Sequence, residues 1–151
     1  MERCNQFSIF LVNKPGVLSQ IFRELAKSKV NITNVAMMDS MEHGVLRMTV
    51  DDPGAARQAF SRLNVSATET EVLAVDLANR PGAAADLCEK LADAHINIGY
   101  MYCTANGNGF KTTVVIKVPD IKKAIKTLES TKATSRDMKV KLRRRTVAVR
   151  H

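Results

Sequence analysis

The chain repeats itself. Asn13–Val35, NKPGVLSQIFRELAKSKVNITNV, falls on Asn79–Met101, NRPGAAADLCEKLADAHINIGYM, at an offset of 66 residues. The two stretches share seven of 23 positions: Asn, Pro, Gly, Leu, Ala, Asn and Ile. Lys14/Arg80 and Val30/Ile96 are like for like. Self-similarity at a fixed offset marks a duplicated structural unit. The 151 residues therefore divide into residues 1–70 and residues 71–151, the second unit carrying a basic C-terminal strand or tail. Units of about 70 residues bury modest cores, so each is expected to pack against the other or against a second chain.

Each half shows the same order of elements. Gln6–Val12 alternates as a strand, with Phe7, Ile9 and Leu11 on one face. Leu18, Ile21, Phe22 and Leu25 follow at helical spacing. Val30–Met38 and Val45–Val50 read as two more strands. Asp52-Pro53 opens a second helix carrying Ala56, Ala59, Phe60 and Leu63 on one stripe, and Val65–Thr70 is a short strand. The pattern restarts with a strand at Val72–Leu77 and a helix from Pro81 that turns Leu87, Cys88 and Leu91 inward. A hairpin, Ile96–Thr104 and Phe110–Val118, turns across Ala105–Gly109. A helix after Pro119-Asp120 carries Ile121, Ala124, Ile125 and Leu128, and a last strand is expected within Met138–Val149. Strand, helix, strand, strand, helix, strand is the split βαβ, or ferredoxin-like, unit. The predicted fold is α+β: two tandem βαββαβ units with all helices on one face of antiparallel sheet.

The repeated Asn-X-Pro-Gly carries the functional reading. Pro15 and Pro81 suit a first helical position, where φ is preset and no N–H is missed. Gly16 and Gly82 keep the first turn free of side chains. Unpaired N–H groups at a helix start, with the positive end of its dipole, favour an anion such as a carboxylate. Asn13 and Asn79, just ahead, offer both a donor and an acceptor. Such a site suits a zwitterion. The competing reading is a turn and helix start with no ligand, and the second Asn of each copy, Asn31 or Asn97, equally reads as a helix exit.

Taken together, strand, Asn-X-Pro-Gly, helix, and an Asn-Ile pair opening the next strand resemble the ACT domain, once in each half. The resemblance implies a regulatory module that binds small molecules, most often amino acids, here in a stand-alone tandem. It implies a ligand held between two paired units. One unit gives the loop Asn and helix start, Asn13 with Gly16 and Val17, or Asn79 with Gly82 and Ala83. The other gives the Asn opening its second strand, Asn97 or Asn31. Val17, Leu18 and Ile98 would line the apolar end. Some members place a polar residue two positions before the loop Asn; here Leu11 and Leu77 stand there, so that contact is absent. Ala83-Ala84-Ala85 replaces Val17-Leu18-Ser19 in the second copy, so the two sites differ. A metabolic enzyme partner and a homodimer follow as expectations.

Composition narrows the alternatives. The net charge of +8 sits almost wholly in Lys132–His151, where eight Lys or Arg face one acid, leaving +1 for the remainder. Nucleic-acid binding is therefore not expected of the folded body and would fall to the tail. The strands Val45–Val50 and Thr112–Lys117 carry no aromatic residue on which a base could stack. Cys4, Cys88 and Cys103 have neither disulfide nor zinc spacing, which points to a reducing cytoplasm. No apolar run reaches the ~20 residues of a membrane helix, and the start lacks a signal-peptide segment. His43, His95 and His151 have no partner at a telling spacing. Cys103, beside Tyr100 and Tyr102, reads as a packed strand residue. No catalytic residue, metal or cofactor is expected, and docking on an enzyme without a ligand is the alternative role.

Overall fold

The computed structural model describes residues 1–12, 14–38, 43–105 and 111–130. The elements are β1 (Glu2–Val12), α1 (Val17–Lys27), β2 (Ile32–Met38), β3 (His43–Val50), α2 (Pro53–Arg62), β4 (Ala67–Ala78), α3 (Ala83–Asp93), β5 (Tyr100–Ala105) and β6 (Lys111–Lys117), followed by α4 (121–130). The strands form one antiparallel sheet in the order β2-β3-β1-β4-β6-β5. The hairpin turn at 106–110 and the strand expected in Met138–Val149 lie outside the described residues.

The two short strands read at Val65–Thr70 and Val72–Leu77 are one strand, β4, of 12 residues. Nothing in Thr70-Glu71-Val72 breaks an extended backbone, so the chain crosses from one unit to the next without a turn. β1 likewise begins at Glu2 rather than Gln6. Its first residues, Glu-Arg-Cys-Asn, show no apolar alternation, and it is pairing that makes them strand: Glu2–Asn5 lie opposite Ala74–Glu71.

These two long strands interlock the units. Gln6–Val12 pair with β3, whereas Glu2–Ile9 pair with β4. Leu73–Ala78 of β4 pair with β6. Residues 67–71 are thus the fourth strand of the first unit and 73–78 the first strand of the second. Glu2–Asn5 take the fourth-strand place of the second unit, where a strand after α4 was expected.

Residues directly opposite in an antiparallel pair share a face. Arg3 opposes Leu73 and Phe7 opposes Glu69, so odd-numbered residues of β1 and β4 point the same way. Two cores form on that side. Phe7, Ile9 and Leu11 pack with Ile21 and Leu25 of α1 and Ala56, Ala59 and Phe60 of α2. Leu73 and Val75 pack with Leu87 and Leu91 of α3 and Ile121, Ala124 and Leu128 of α4. All four helices therefore cover one face, as the periodicity predicts. Each fully buried Leu, Ile or Phe contributes about 1.5–3 kcal/mol. The edge-to-face pair Phe7–Phe60, centroids 5.2 Å apart, adds about 0.5–1.5 kcal/mol. Cys88, expected inward, is half-buried.

The helix-free face is not simply open to water. Val72, Tyr102 and Val115 form a small cluster with Cys4, Ala36 and Tyr100 packed against it. Gln6 is fully buried there, although its sequence context gives no sign of it. Ala36 on β2 and Tyr100 on β5 come from opposite edges of the sheet, so the sheet is coiled enough for its two margins to meet.

Three helices end alike. Val30 N–H donates to the Leu25 carbonyl and Lys29 N–H to Ala26, Val65 to Phe60 and Asn64 to Ser61, Ile96 to Leu91 and His95 to Ala92. This is the Schellman arrangement, in which the residue after the cap adopts φ > 0. Lys29, Asn64 and His95 have φ of 57°, 51° and 54°.

Candidate functional site

The two Pro-Gly segments fold identically, but not as first helical turns. α1 begins at Val17 and α3 at Ala83, each one residue past the glycine. The Lys14 carbonyl accepts from Val17 N–H at 3.4 Å, and the Arg80 carbonyl from Ala83 N–H at 3.3 Å. Gly16 has φ 89° and Gly82 φ 84°. Pro at the second position and Gly with φ > 0 at the third make a type II turn. Pro also suits a first helical position, and it is the following glycine that decides between the two. A Cβ built on Gly16 meets nothing within 4 Å, so backbone conformation, not lack of space, requires glycine there.

This turn leaves α1 and α3 unlike their partners. The Asp52 carboxylate accepts from Ala55 N–H at 2.9 Å and caps α2. Asp120 accepts from Lys123 N–H at 2.9 Å and caps α4. Gly16 and Gly82, at the same position of α1 and α3, have no side chain to do this. In each unit the second helix thus supplies its own carboxylate and the first does not.

Each uncapped start heads a cleft. The first, about 310 Å³, is lined by Leu11, Val12, Lys14, Pro15, Gly16, Val17, Leu18 and Met37. The second, about 480 Å³, lies between the end of β4 and α3, with Ala83, Arg80, Asp86, Lys90 and Lys111 among its walls. The second turn is self-paired: Arg80 bonds to Asp86 and donates to the Pro81 carbonyl at 3.0 Å. In the first, Gln20 replaces that acid, and Lys14 has no acidic partner among the described residues. Charges of the second cleft were not legible because they come from the helix, the strand end and β6 together.

Of the residues singled out from sequence, Gly16, Val17 and Leu18 line the first cleft and Ala83 the second. Asn13 lies outside the described residues. Asn79 is exposed on the second turn beside Gly82. Asn31 exchanges hydrogen bonds with Asp51: its N–H donates to Asp51 Oδ1 at 2.9 Å and its carbonyl accepts from Asp51 N–H at 3.1 Å. Asn97 is exposed, and Ile98 packs against the second core instead of a cleft.

Within one chain the expected clasp does not form. Asn31 precedes Ile32, which pairs with Val50 at the level of Asn5 and its partner Glu71. Asn79 stands eight residues further along β4, about 27 Å at the rise of a strand. The first turn, beyond Val12, is likewise remote from Asn97, whose neighbour Gly99 bonds to Lys117 at the level of Cys4. Because β1 and β4 run antiparallel, the two turns sit at opposite ends of the sheet.

Among the described residues, no cluster of His, Cys, Asp and Glu could hold a metal ion, and no helix is long and apolar enough to cross a membrane. Cys103 is exposed rather than packed.

The geometry has clear counterparts. A protein from Bacteroides thetaiotaomicron, BT0572, superposes with a TM-score of 0.80 at 32% identity, covering 86% of this chain and 89% of that one. The regulatory subunit of aspartate kinase from Thermus thermophilus shares the fold, with a TM-score of 0.64 at 15% identity, covering 85% and 91%. An aspartokinase of Corynebacterium glutamicum is 26% identical over 132 residues, 77% of this chain, which spans only 30% of that enzyme's length. The model of the ACT domain pair matches residues 2–133. The chain belongs to the ACT domain pair family.

Proposed function

We propose that this protein is a non-catalytic regulator that binds a small amino acid at its Pro-Gly helix starts. The observation that carries this reading is the contrast between the helices. α2 and α4 are capped by Asp52 and Asp120; α1 and α3 begin on glycine at the head of a cleft. A ligand carboxylate would stand where those aspartates stand, worth about 0.5–2 kcal/mol as a cap alone. The apolar walls of the first cleft, Leu11, Val17, Leu18 and Met37, suit an aliphatic side chain, and Lys14 adds a cation beside the carboxylate.

Asn97 and Asn31 reach the turns only if a second chain contributes them, so the complete site is assigned to a homodimer. Among the described residues, the large exposed apolar side chains are Phe10 and Val12 of β1 and Val35 and Met37 of β2, the two strands that flank β3 in the first unit, which supports association through that unit. A protein of the same fold is a regulatory subunit of aspartate kinase, which supports reading ligand binding here as a signal to a metabolic enzyme. A thermal-shift screen of the common amino acids tests the reading, since a ligand of the folded state raises apparent stability. One or a few amino acids should raise the melting temperature in a concentration-dependent way; no shift with any of them contradicts it.

A further inference from the structure

The backbones of the two Pro-Gly helix starts match, but the charged side chains around them do not. In α2 and α4 the capping carboxylates accept from the third residue of the helix, Ala55 and Lys123. The same positions in α1 and α3 are Ser19 and Ala85, whose N–H groups have no partner within the helix. Because the turns before them are alike, these two N–H groups present one geometry to a carboxylate.

In the second copy the charges are already engaged. Asp86, directly after Ala85, stands in the first turn of α3 and accepts a charge-assisted hydrogen bond from Arg80. Arg80 also donates to the Pro81 carbonyl at 3.0 Å. Its Nη1 lies 3.5 Å from the place a Cβ on Gly82 would take, so the guanidinium folds over the helix start. In the first copy, α1 has no acid in its first turn. Gln20 stands in the place of Asp86 and Lys14 in that of Arg80, and Lys14 has no acidic partner among the described residues. A carboxylate in the first turn already uses the positive end of the helix dipole, and it repels a second carboxylate there. Arg80, once paired, no longer offers a free cation. The wider cleft pulls the other way, because Lys90, one turn further along α3, and Lys111 of β6 also line it. What separates the two starts is therefore Asp86, beside the N–H groups, and not the summed charge of the walls.

We propose that Asp86 and Arg80 close the second helix start to a carboxylate, so that each chain takes one amino acid, at Ser19 beside Lys14. This rests on the reading of the helix starts as ligand sites. A single side chain then decides which start is occupied, and exchanging Asp86 and Gln20 exchanges the sites.

The test follows backbone amide shifts of the full chain as acetate is added, against chloride at the same ionic strength. In the wild type, Leu18 and Ser19 should shift saturably. Ala84 and Ala85 should respond with an affinity about fivefold weaker, the size of one opposing charge at a helix start whose cation is engaged elsewhere. Asp86→Gln installs the first copy's residue at a half-exposed position and should raise the response of Ala84 and Ala85 to that of Leu18 and Ser19. Gln20→Asp should weaken the response of Leu18 and Ser19 by a similar factor. Equal affinities at the two starts of the wild type overturn the proposal. So does a response at Ala84 and Ala85 that Asp86→Gln leaves unchanged, or one at Leu18 and Ser19 that Gln20→Asp leaves unchanged. Silence at Leu18 and Ser19 in the wild type counts instead against helix starts as ligand sites, and Ala84 and Ala85 in Asp86→Gln still decide the role of Asp86.

Discussion

The Gln6 side chain donates to the Tyr100 hydroxyl at 2.7 Å and accepts from the Tyr102 hydroxyl at 3.0 Å, joining β1 to the far edge of the sheet. Arg47 of β3 lies 3.9 Å over the Tyr100 ring, so the β5 edge is held over this face from both β1 and β3. Its removal leaves two hydroxyls to be satisfied on a face that the helices do not cover.

Gln6→Ala should therefore destabilise the protein by about 2–4 kcal/mol, combining a cavity with an orphaned buried hydroxyl. Tyr102→Phe alone should cost about 1 kcal/mol. Urea denaturation of the two variants and their double should show coupling, because they share one hydrogen bond. Additive effects would mean that the amide and the phenol act independently.

Alkaline pH should attack the same region. Burial, and then Glu2, push the Cys4 thiol up from 9.0 to about 11. Burial, and then Tyr100 and Cys4, hold the Tyr102 hydroxyl above its ordinary value of 10.0. A folded-state value above the unfolded one means that the folded chain keeps its proton longer. That stability is complete below the unfolded value and is lost as pH rises towards the folded one. Stability should be flat up to about pH 9 and then fall, with Cys4→Ala showing a shallower fall between pH 9 and 11. Denaturation midpoints across this range check it; identical curves for the two proteins would refute it.

Gly16→Ala and Gly82→Ala should each cost about 1–2 kcal/mol, the strain of a left-handed residue. The costs should be similar because the two turns are alike and neither site is crowded: the nearest atom to a Cβ on Gly82 is Arg80 Nη1 at 3.5 Å. A neutral Gly16→Ala in thermal denaturation would show that the turn relaxes at no cost.

His95→Gly and Lys29→Gly should do the opposite. Both residues hold φ > 0 after a helix end, where glycine is favoured, and relieving that strain outweighs glycine's extra unfolded-state entropy. A gain of about 0.5–1 kcal/mol is expected for each by chemical denaturation, whereas a loss would mean that these side chains make contacts worth more than the strain.

Much of the fold was legible because repeat and periodicity are local signals. Leu87 and Leu91, or Ala56, Ala59 and Phe60, declare a helix face without reference to anything distant. The strand exchange was not legible. Glu2–Asn5 look like an irregular start until Glu71–Ala74 lie beside them, and pairing partners about 70 residues apart leave no trace in alternation. Burial of Gln6 was hidden for the same reason, since its cover comes from Tyr100 and Tyr102. At the candidate site, Asn-X-Pro-Gly put Pro15 and Pro81 in a first helical position, whereas Gly16 and Gly82 at φ > 0 make each proline the second residue of a turn before the helix. The approach of Asn31 to Asn79 rested on units packed side by side, whereas β1 and β4 run antiparallel through one sheet and carry the turns to opposite ends.

Calorimetric titration of the amino acid found by screening, into the wild type and into Asn97→Ala, tests the central claim most directly. Loss of one hydrogen bond to a charged group costs about 1.5–3 kcal/mol, or about one to two decades of affinity. The account predicts measurable binding to the wild type, weakening of about ten- to a hundredfold in Asn97→Ala, and sedimentation of the liganded protein as a dimer of the 16.7 kDa chain. Binding that is unchanged in Asn97→Ala, or that saturates a monomer, would contradict the shared site, and heat absent for every amino acid would leave the Pro-Gly turns as helix starts only.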